Sequence, residues 1–371
     1  MDFHYSEDQR AIREMAESIF GDHCTDAYQA EWDRSSDSFD RALWAKLCEA
    51  GLPALLLSEQ SGGSGLGLTD LSVVLQAQGR SLAPVPLFEH ALAAALLESN
   101  GLLTEAIASG EQVLTLSLDR LLDARAPALR VSVENGHAQL SGMAAAVLFG
   151  DAADGMVLSA DANGTPCLVY VRALDVKGVV RVSGRTQHHQ GVADLHFEGV
   201  DVMLLSSVGV DATLDRALAM LAALTLGVLE EQVKRAVAYT SERVQFGRPI
   251  GTFQAVQMRM ADAQIDLEVM RTSMLQLLYR IDAGLPSSPQ ASATKFLASE
   301  ASHRVGHGAQ HVHGGIGVDQ SYPIHRYLYW ARAMAMRLGG AQAHLERLGD
   351  WLSEHDQLGW KYDMKEDSHE A

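Results

Sequence analysis

The spacing of apolar residues changes twice along the chain, and these changes divide its 371 residues into three blocks. Residues 1–110 show the spacing of amphipathic helices, with Trp44 and Leu47 three positions apart. Residues 111–205 consist of short segments typical of β-strands, and residues 206–371 return to long helical segments. The sequence therefore predicts an α+β fold with an N-terminal helical domain, a middle β-domain and a C-terminal helical domain.

Two Asn-Gly pairs interrupt the β-type segments of the middle block, Asn135-Gly136 and Asn163-Gly164. Such pairs favour tight hairpins, because both central positions of a two-residue turn need positive φ. We therefore predict that the middle block is a small antiparallel β-domain, either a barrel or a sandwich.

The last block contains four long apolar-periodic segments separated by turns rich in Gly and Pro. These segments predict helices near residues 213–240, 252–283, 289–312 and 323–353. Long helices joined by short loops pack as an antiparallel four-helix bundle. The polar residues 361–371 are expected to form a frayed tail.

Composition excludes several classes of protein. Asp and Glu number 47 against 29 Lys and Arg, which gives a net charge of −18 and argues against nucleic acid or an anionic membrane as the partner. No apolar run reaches 18 residues, and the acidic start of the chain lacks the apolar run of a secretory signal. Cys24, Cys48 and Cys167 form no CxxC pair, so reduced thiols and a cytoplasmic location are expected.

Five segments carry recognisable motifs, and they occur in order along nearly the whole chain: Gly51–Leu66, Glu242–Gln254, Met260–Asp262, Lys295–Ala301 and His313–Arg326. The second resembles the "ER.QFG.PI..FQ" signature of acyl-CoA dehydrogenases, and the last resembles their "HGG.G…YP..R" segment. The resemblance implies that family's fold, an FAD cofactor, an oligomer, and α,β-dehydrogenation of an acyl-CoA thioester.

In that family, residues of the bundle reach across a dimer interface to the FAD of the neighbouring subunit. The resemblance assigns this role to Arg243 and to the Gly314-Gly315 segment. Phe246, which can pack on a cofactor ring, Gln254 and His311 are the further candidate cofactor-binding residues. An arginine can hold a pyrophosphate through charge-assisted hydrogen bonds, and glycines allow close approach of a ligand to the backbone.

Alternative interpretations of these residues remain open on the sequence alone. Arg243 is also consistent with a solvated arginine at a helix end, and Phe246 with an apolar turn anchor. His311 stands where the family usually has a glutamine, and the neighbouring Gln310 is expected to point elsewhere on the helix.

Four histidines lie close together before the Gly-Gly pair, at positions 303, 307, 311 and 313. The first three are spaced to line one helix face, which is compatible with metal binding. No Cys or carboxylate cluster accompanies them, so we predict no metal site.

The general base of the family is missing at both of its usual positions. Most members place a glutamate about four helical turns after the Tyr of the YP pair, and here that count reaches Leu338. A minority place it on the first bundle helix, where this chain has Ala217 beside Asp215. Asp215 could act as the base only if the helix register shifted by two residues, and such a shift rotates a side chain about 200° around a helix. It is a weak candidate.

The β-block also departs from the family pattern. Leu116–Arg120 and Gly142–Val147 replace the polar runs that hold the flavin ring, and no Trp occurs between Trp44 and Trp330. The later stretch Arg185–Val202 keeps the family pattern. The residues expected to contact the FAD of a neighbouring subunit are thus present. The residues that would contact the chain's own flavin in the family pattern are absent.

This asymmetry predicts a subunit of a heteromeric acyl-CoA dehydrogenase that lacks its own base and completes a partner's FAD site. It resembles bacterial members with paired unlike subunits that act on steroid side-chain CoA thioesters. Two other hypotheses are a self-sufficient homo-oligomer with an unconventional base, and a silent acyl-CoA-binding scaffold. The partners implied are an acyl-CoA, a homologous subunit and an electron-transfer flavoprotein.

Overall fold

The computed structural model describes residues 4–118, 121–122 and 129–355. The predicted polar tail at 361–371 lies outside the described residues, as do Asp119 and Arg120. The described chain divides into two compact units. The helical unit comprises residues 4–14, 75–82 and 218–355, and the mixed unit comprises residues 15–74 and 83–217.

Short helices occupy the chain up to residue 110, in agreement with the helical spacing of the first block. Six α-helices are present: α1 (Glu7–His23), α2 (Asp26–Trp32), α3 (Arg41–Glu49), α4 (Leu68–Arg80), α5 (Leu87–Ser99) and α6 (Glu105–Ala108). Side-chain oxygens cap four of them, since each accepts a hydrogen bond from a backbone N–H of the first turn: Ser6, Thr25, Asp40 and Thr104.

The middle block forms one sheet of seven strands within the described residues: β1 (Leu114–Ser117), β2 (Leu129–Glu134), β3 (His137–Leu148), β4 (Gly155–Ala162), β5 (Thr165–Val171), β6 (Val179–Arg185) and β7 (Gly191–Leu205). The strand order is β1-β4-β2-β3-β7-β5, and β5 also pairs with β4, so five strands close into a barrel around a buried apolar core. β6 pairs with β7 outside this path.

Both Asn-Gly pairs form the predicted hairpin turns, with φ of 50° and 83° at Asn135-Gly136 and of 56° and 87° at Asn163-Gly164. Most strand pairs are antiparallel, as predicted, but the sheet is mixed, because β1 pairs with β4 in parallel and β2 meets β4 in parallel at one residue pair. The chain between β1 and β4 carries the β2–β3 hairpin, and this length permits the crossover that a parallel pair needs.

The last block is helical, with α7 (Val210–Glu242), α8 (Gln254–Asp282), α9 (Ser288–His313), α10 (Ile324–Met336) and α11 (Ala341–Glu354). Two-residue strands β8 (Val244–Gln245) and β9 (Arg248–Pro249) lie between α7 and α8. α7 is long and apolar enough to cross a membrane, but 89% of its most apolar stretch is buried within the fold. It is therefore a core helix.

The prediction of four bundle helices needs one correction, because the last predicted helix is two. α10 ends at Met336 and α11 begins at Ala341. Leu338 and Gly339 between them adopt left-handed backbone conformations, with φ of 52° and 85°. A right-handed helix cannot continue through two such residues.

Candidate functional site

A short hairpin follows α7 and carries two of the predicted cofactor residues. Val244 pairs with Pro249 and Gln245 with Arg248, and the N–H of Ile250 donates to the carbonyl of Arg243 at 2.8 Å. Phe246 and Gly247 form the turn, with φ of 55° and 79°. These angles are those of a type I′ turn, whose twist matches that of the strands it joins.

Phe246 is an unusual residue for this turn. Two other β-hairpin turns in the described residues have these angles, and both use Asn-Gly, because asparagine adopts positive φ more readily than phenylalanine. The Phe246 side chain is 90% exposed, and its recorded ring contact is an edge-on one with Phe253 at 6.1 Å. Backbone strain without burial is typical of a residue whose partner is another molecule.

The exposed guanidinium of Arg243 makes no ion pair or hydrogen bond within the described part of the chain. By contrast, Arg248 on the same hairpin lies over the Phe253 ring, 4.2 Å from its centroid. A guanidinium with five free donors is suited to a phosphate or carboxylate. Of these two arginines, Arg243 is therefore the one available to a ligand.

Gln254 is the first residue of α8 and its side chain is exposed. The preceding residue, Phe253, provides no side-chain cap, so the first N–H groups of this 29-residue helix have no side-chain acceptor at the cap position. An uncapped helix start carries partial positive charge and favours an anion nearby.

The end of α9 carries the remaining predicted residues. His311, Gly314 and Gly315 are exposed, and Gly314 has a φ of 63° that an L-residue rarely adopts. The Gln310 amide donates to the carbonyl of Gly317 at 2.7 Å. Gln310 therefore stabilises its own turn, and His311 is the side chain presented to solvent.

The six predicted cofactor residues lie at one end of the helical unit. Ala236 near the end of α7 packs with Ala309 and Val312 near the end of α9, and Val256 and Met260 from the start of α8 pack against them. The hairpin, the start of α8 and the Gly-Gly turn thus extend from one small core.

Leu338, at the position where the base is expected from the sequence, is only 4% exposed. Its carbonyl accepts a hydrogen bond from Nε2 of the buried His344 at 2.7 Å. Burial lowers the pKa of His344 to about 4, so the ring is neutral at pH 7. The hydrocarbon side chain of Leu338 cannot take up a proton. The hydrogen bond from His344 holds the turn that contains Leu338. No sequence motif predicted this role of His344.

Asp215, the weak alternative, lies on α7 in the mixed unit and is 2% exposed. In the β-block, Leu116 is buried in β1. Gly142–Val147 lies in β3, where Ala145 and Ala146 are exposed and offer no side-chain donor.

The histidines of α9 do not assemble a metal site. His303, His307 and His311 are exposed, and the rings of His303 and His307 lie 4.6 Å apart. Arg332 lies 3.4 Å from Nε2 of His307. Across the described ranges, no three His, Cys, Asp or Glu side chains come together as a metal-binding group.

Two aromatic residues at this end were missed by sequence reasoning. Tyr239 stacks on His313 with ring centroids 4.3 Å apart, and Tyr322 contacts both rings. The available signal was position, since Tyr239 precedes Arg243 by one helical turn and Tyr322 belongs to the YP motif.

Comparison with known proteins identifies two family models that match the chain. The N-terminal domain of acyl-CoA dehydrogenases matches residues 6–104, and the C-terminal domain matches residues 210–353. Similar curated proteins include acyl-CoA dehydrogenase FadE27 of Mycobacterium tuberculosis, 32% identical over 95% of this chain and 99% of that protein. Acyl-CoA dehydrogenase IpdE2 of Mycolicibacterium smegmatis is 30% identical over 92% of this chain and 98% of that protein.

Solved structures give the same result. A variant of the Tcur3481-Tcur3483 steroid ACAD is 36% identical over 94% of this chain and 98% of that chain, with a TM-score of 0.88. The ChsE4-ChsE5 complex from Mycobacterium tuberculosis is 31% identical over 96% of this chain and all of that chain, with a TM-score of 0.87.

Proposed function

The chain belongs to the acyl-CoA dehydrogenase family of FAD-dependent oxidoreductases, and from this premise we propose that it is one subunit of a heteromeric enzyme. In this proposal the chain lacks a general base of its own and completes the FAD site of an unlike, homologous partner.

The observation that carries the proposal is the Arg243–Pro249 hairpin, which exposes an unpaired guanidinium and a strained aromatic tip. Neither feature serves the chain's own described structure. The residues at this end fit a dinucleotide: Arg243 suits the pyrophosphate, Phe246 offers a face to a ring, and the uncapped start of α8 favours negative charge. Gln254, His311 and the Gly314-Gly315 backbone complete this set.

The bound FAD would supply the hydride acceptor for oxidation of the thioester's β-carbon. The chain's own residues hold and orient that cofactor through Arg243 and its neighbours. Leu338 leaves removal of the α-proton to the partner, whose glutamate acts as the general base.

A steroid side-chain CoA thioester is the substrate class we propose. Support comes from the similarity to the steroid ACAD and from the ChsE4-ChsE5 complex as precedents for two-chain assemblies. We also propose an electron-transfer flavoprotein as the acceptor of the electrons and the cytoplasm as the location.

The test is an absorbance spectrum of the purified chain, alone and after coexpression with a homologous subunit that carries a glutamate at either base position. We expect little flavin on the chain alone and one FAD for each pair of unlike chains. Arg243→Leu should weaken FAD binding by the complex about 10- to 100-fold, which corresponds to loss of one or two charge-assisted hydrogen bonds.

The matched control is Arg10→Leu, which removes another exposed arginine, from α1, and should leave FAD affinity unchanged. One FAD per chain in the isolated protein would contradict the proposal.

The burial of Asp215 favours a second candidate, a self-sufficient enzyme in which this carboxylate is the base. A desolvated carboxylate is suited to accept a proton near neutral pH. That candidate requires turnover by the chain alone and a roughly 10²- to 10⁴-fold loss of kcat in Asp215→Asn. The heteromeric proposal requires turnover only with the partner.

A further inference from the structure

Three rings meet where α7, α9 and the segment before α10 converge in the helical unit. Tyr239 and His313 are nearly parallel, with centroids 4.3 Å apart and planes 20° apart. Tyr322 lies 5.4 Å from His313 and 6.2 Å from Tyr239. Each ring therefore contacts the other two, and this ring cluster joins α7 to the end of α9 and to the segment before α10.

His313 is held in one tautomer within the cluster. Its Nδ1 lies 2.7 Å from the carbonyl oxygen of Ala309, which can only accept, so Nδ1 carries the hydrogen. The residue is 4% exposed and Nε2 has no hydrogen-bond partner among the described residues. Burial lowers the pKa of His313, and the ring is neutral.

The cluster connects directly to both parts of the candidate cofactor site. The carbonyl of Tyr239 accepts a hydrogen bond from the N–H of Arg243 at 2.8 Å, at the point where the hairpin begins. The Tyr239 hydroxyl lies 3.5 Å from the carbonyl of His313, the residue that immediately precedes Gly314. One ring pair thus links the base of the hairpin to the base of the Gly-Gly turn.

From this geometry we infer that Tyr239 and His313 are positioning residues, which fix the distance between Arg243 and the Gly314-Gly315 turn. The inference rests on the proposed function, because it concerns the same dinucleotide site. A ligand that contacts both elements gains affinity when they are already spaced for it, since no binding energy is spent on ordering them. Both side chains act through these elements, and neither contacts the ligand.

A double-mutant cycle on the FAD-containing complex tests the inference. Tyr239→Leu should weaken FAD binding about tenfold, and Tyr239→Phe, which keeps the stacked ring, should stay within about twofold of wild type. If Tyr239 acts through Arg243, most of the tenfold loss should disappear when Tyr239→Leu is made in an Arg243→Leu background. Thermal midpoints of the same proteins report any general loss of folding.

The pH dependence of FAD affinity gives a readout that simple packing would not move. The titratable side chains of Tyr239 and Tyr322 face His313 from the neighbouring elements. Affinity should therefore stay constant above the pKa of His313 and fall as the ring becomes charged. The variant His313→Phe should remove this fall.

The outcomes separate the two proposals. Loss of FAD binding in Arg243→Leu, together with unchanged binding or strictly additive loss from Tyr239→Leu, would overturn the positioning role and leave the proposed function intact. Unchanged FAD binding in Arg243→Leu would overturn the proposed cofactor role, and the positioning inference with it.

Discussion

At the scale of single residues, Phe246 occupies a turn position that asparagine occupies in other hairpins of this chain. Three β-hairpin turns of the described chain have nearly the same pair of positive φ angles, and asparagine precedes glycine in two of them. The third uses phenylalanine and leaves the side chain 90% exposed. Left-handed backbone costs such a residue roughly 1 kcal/mol, and no burial offsets it. This combination of strain and exposure is what the proposed contact with a cofactor ring would require.

The variant Phe246→Asn separates stability from cofactor binding. We expect the free energy of unfolding to rise by about 0.5–1 kcal/mol, because asparagine relieves the strain of this turn. FAD retention by the complex should fall at the same time, because the aromatic face is lost. Denaturant melts and flavin fluorescence measure the two effects. A variant with unchanged FAD retention would show that Phe246 is only a turn residue.

Asp40 illustrates a residue whose charge stabilises the fold locally. Its carboxylate accepts hydrogen bonds from the Tyr28 hydroxyl, from His23 Nε2 at 2.6 Å and from the Leu43 N–H at 2.9 Å. Burial raises the pKa of Asp40, but these three bonds outweigh it and hold the pKa below 3.8. The stabilisation is therefore present above about pH 4 and is lost as the pH falls below it.

Asp40→Asn should lower the free energy of unfolding by about 2 kcal/mol at pH 7, because a neutral amide cannot accept all three bonds. Asp37→Asn, an exposed aspartate three residues earlier, is the matched control and should change stability by less than about 0.5 kcal/mol. Urea melts of both variants give the comparison. Equal effects would mean that the Asp40 network contributes nothing specific.

At the scale of elements, two glycines allow α4 and α7 to cross closely within the helical unit. A Cβ on Gly227 would lie 2.0 Å from the Gln76 carbonyl oxygen, and one on Gly79 would lie 2.1 Å from the Leu224 carbonyl oxygen. In both cases the obstacle is backbone, which cannot move aside as a flexible side chain can.

Gly227→Ala should therefore destabilise the protein by about 3 kcal/mol, because the helices must separate. Gly349 on α11 also lies in a helix of this unit, and a Cβ there would meet nothing within 4 Å. Gly349→Ala should stabilise by roughly 0.5–1 kcal/mol through lower backbone entropy in the unfolded chain. Thermal melts should show a lower melting temperature for Gly227→Ala and a higher one for Gly349→Ala. Changes of the same sign in both variants would refute the close contact of α4 and α7 as the reason for glycine at position 227.

At the scale of the whole molecule, buried neutral histidines make both units sensitive to acid. Burial lowers the pKa of His90 in the mixed unit, and of His344 in the helical unit, from 6.5 to about 4. The unfolded chain binds protons below pH 6.5 and the folded rings do not until about pH 4. The free energy of unfolding therefore falls as pH decreases through this window.

Between pH 6.5 and about pH 4, each of these two rings lowers the free energy of unfolding by on the order of 3 kcal/mol. His344→Gln keeps a donor near the Leu338 carbonyl and removes one titration. The expected result is a smaller loss of stability between pH 7 and pH 5 than in wild type, measured by urea melts at several pH values. An unchanged slope would show that His344 does not contribute to the acid sensitivity.

Much of this architecture follows from the sequence alone, for a local reason. The spacing of apolar residues reports helix or strand, and Asn-Gly reports a turn, because both depend on φ and ψ of neighbouring residues. The motifs around Arg243 and Gly314 are likewise recognisable from the sequence, and both lie at one end of the helical unit. The identity of Leu338, and hence the absence of a carboxylate at that position, is also a fact of sequence.

Other features were decided only by tertiary structure. The parallel β1–β4 pair, the break at Leu338 and the ring pair of Tyr239 and His313, which are 74 residues apart, depend on packing between distant segments. The neutral state of His344 likewise depends on burial by its surroundings. The spacing of apolar residues along the chain does not indicate which distant segment will bury a given side chain. These features could therefore be seen only in the folded chain.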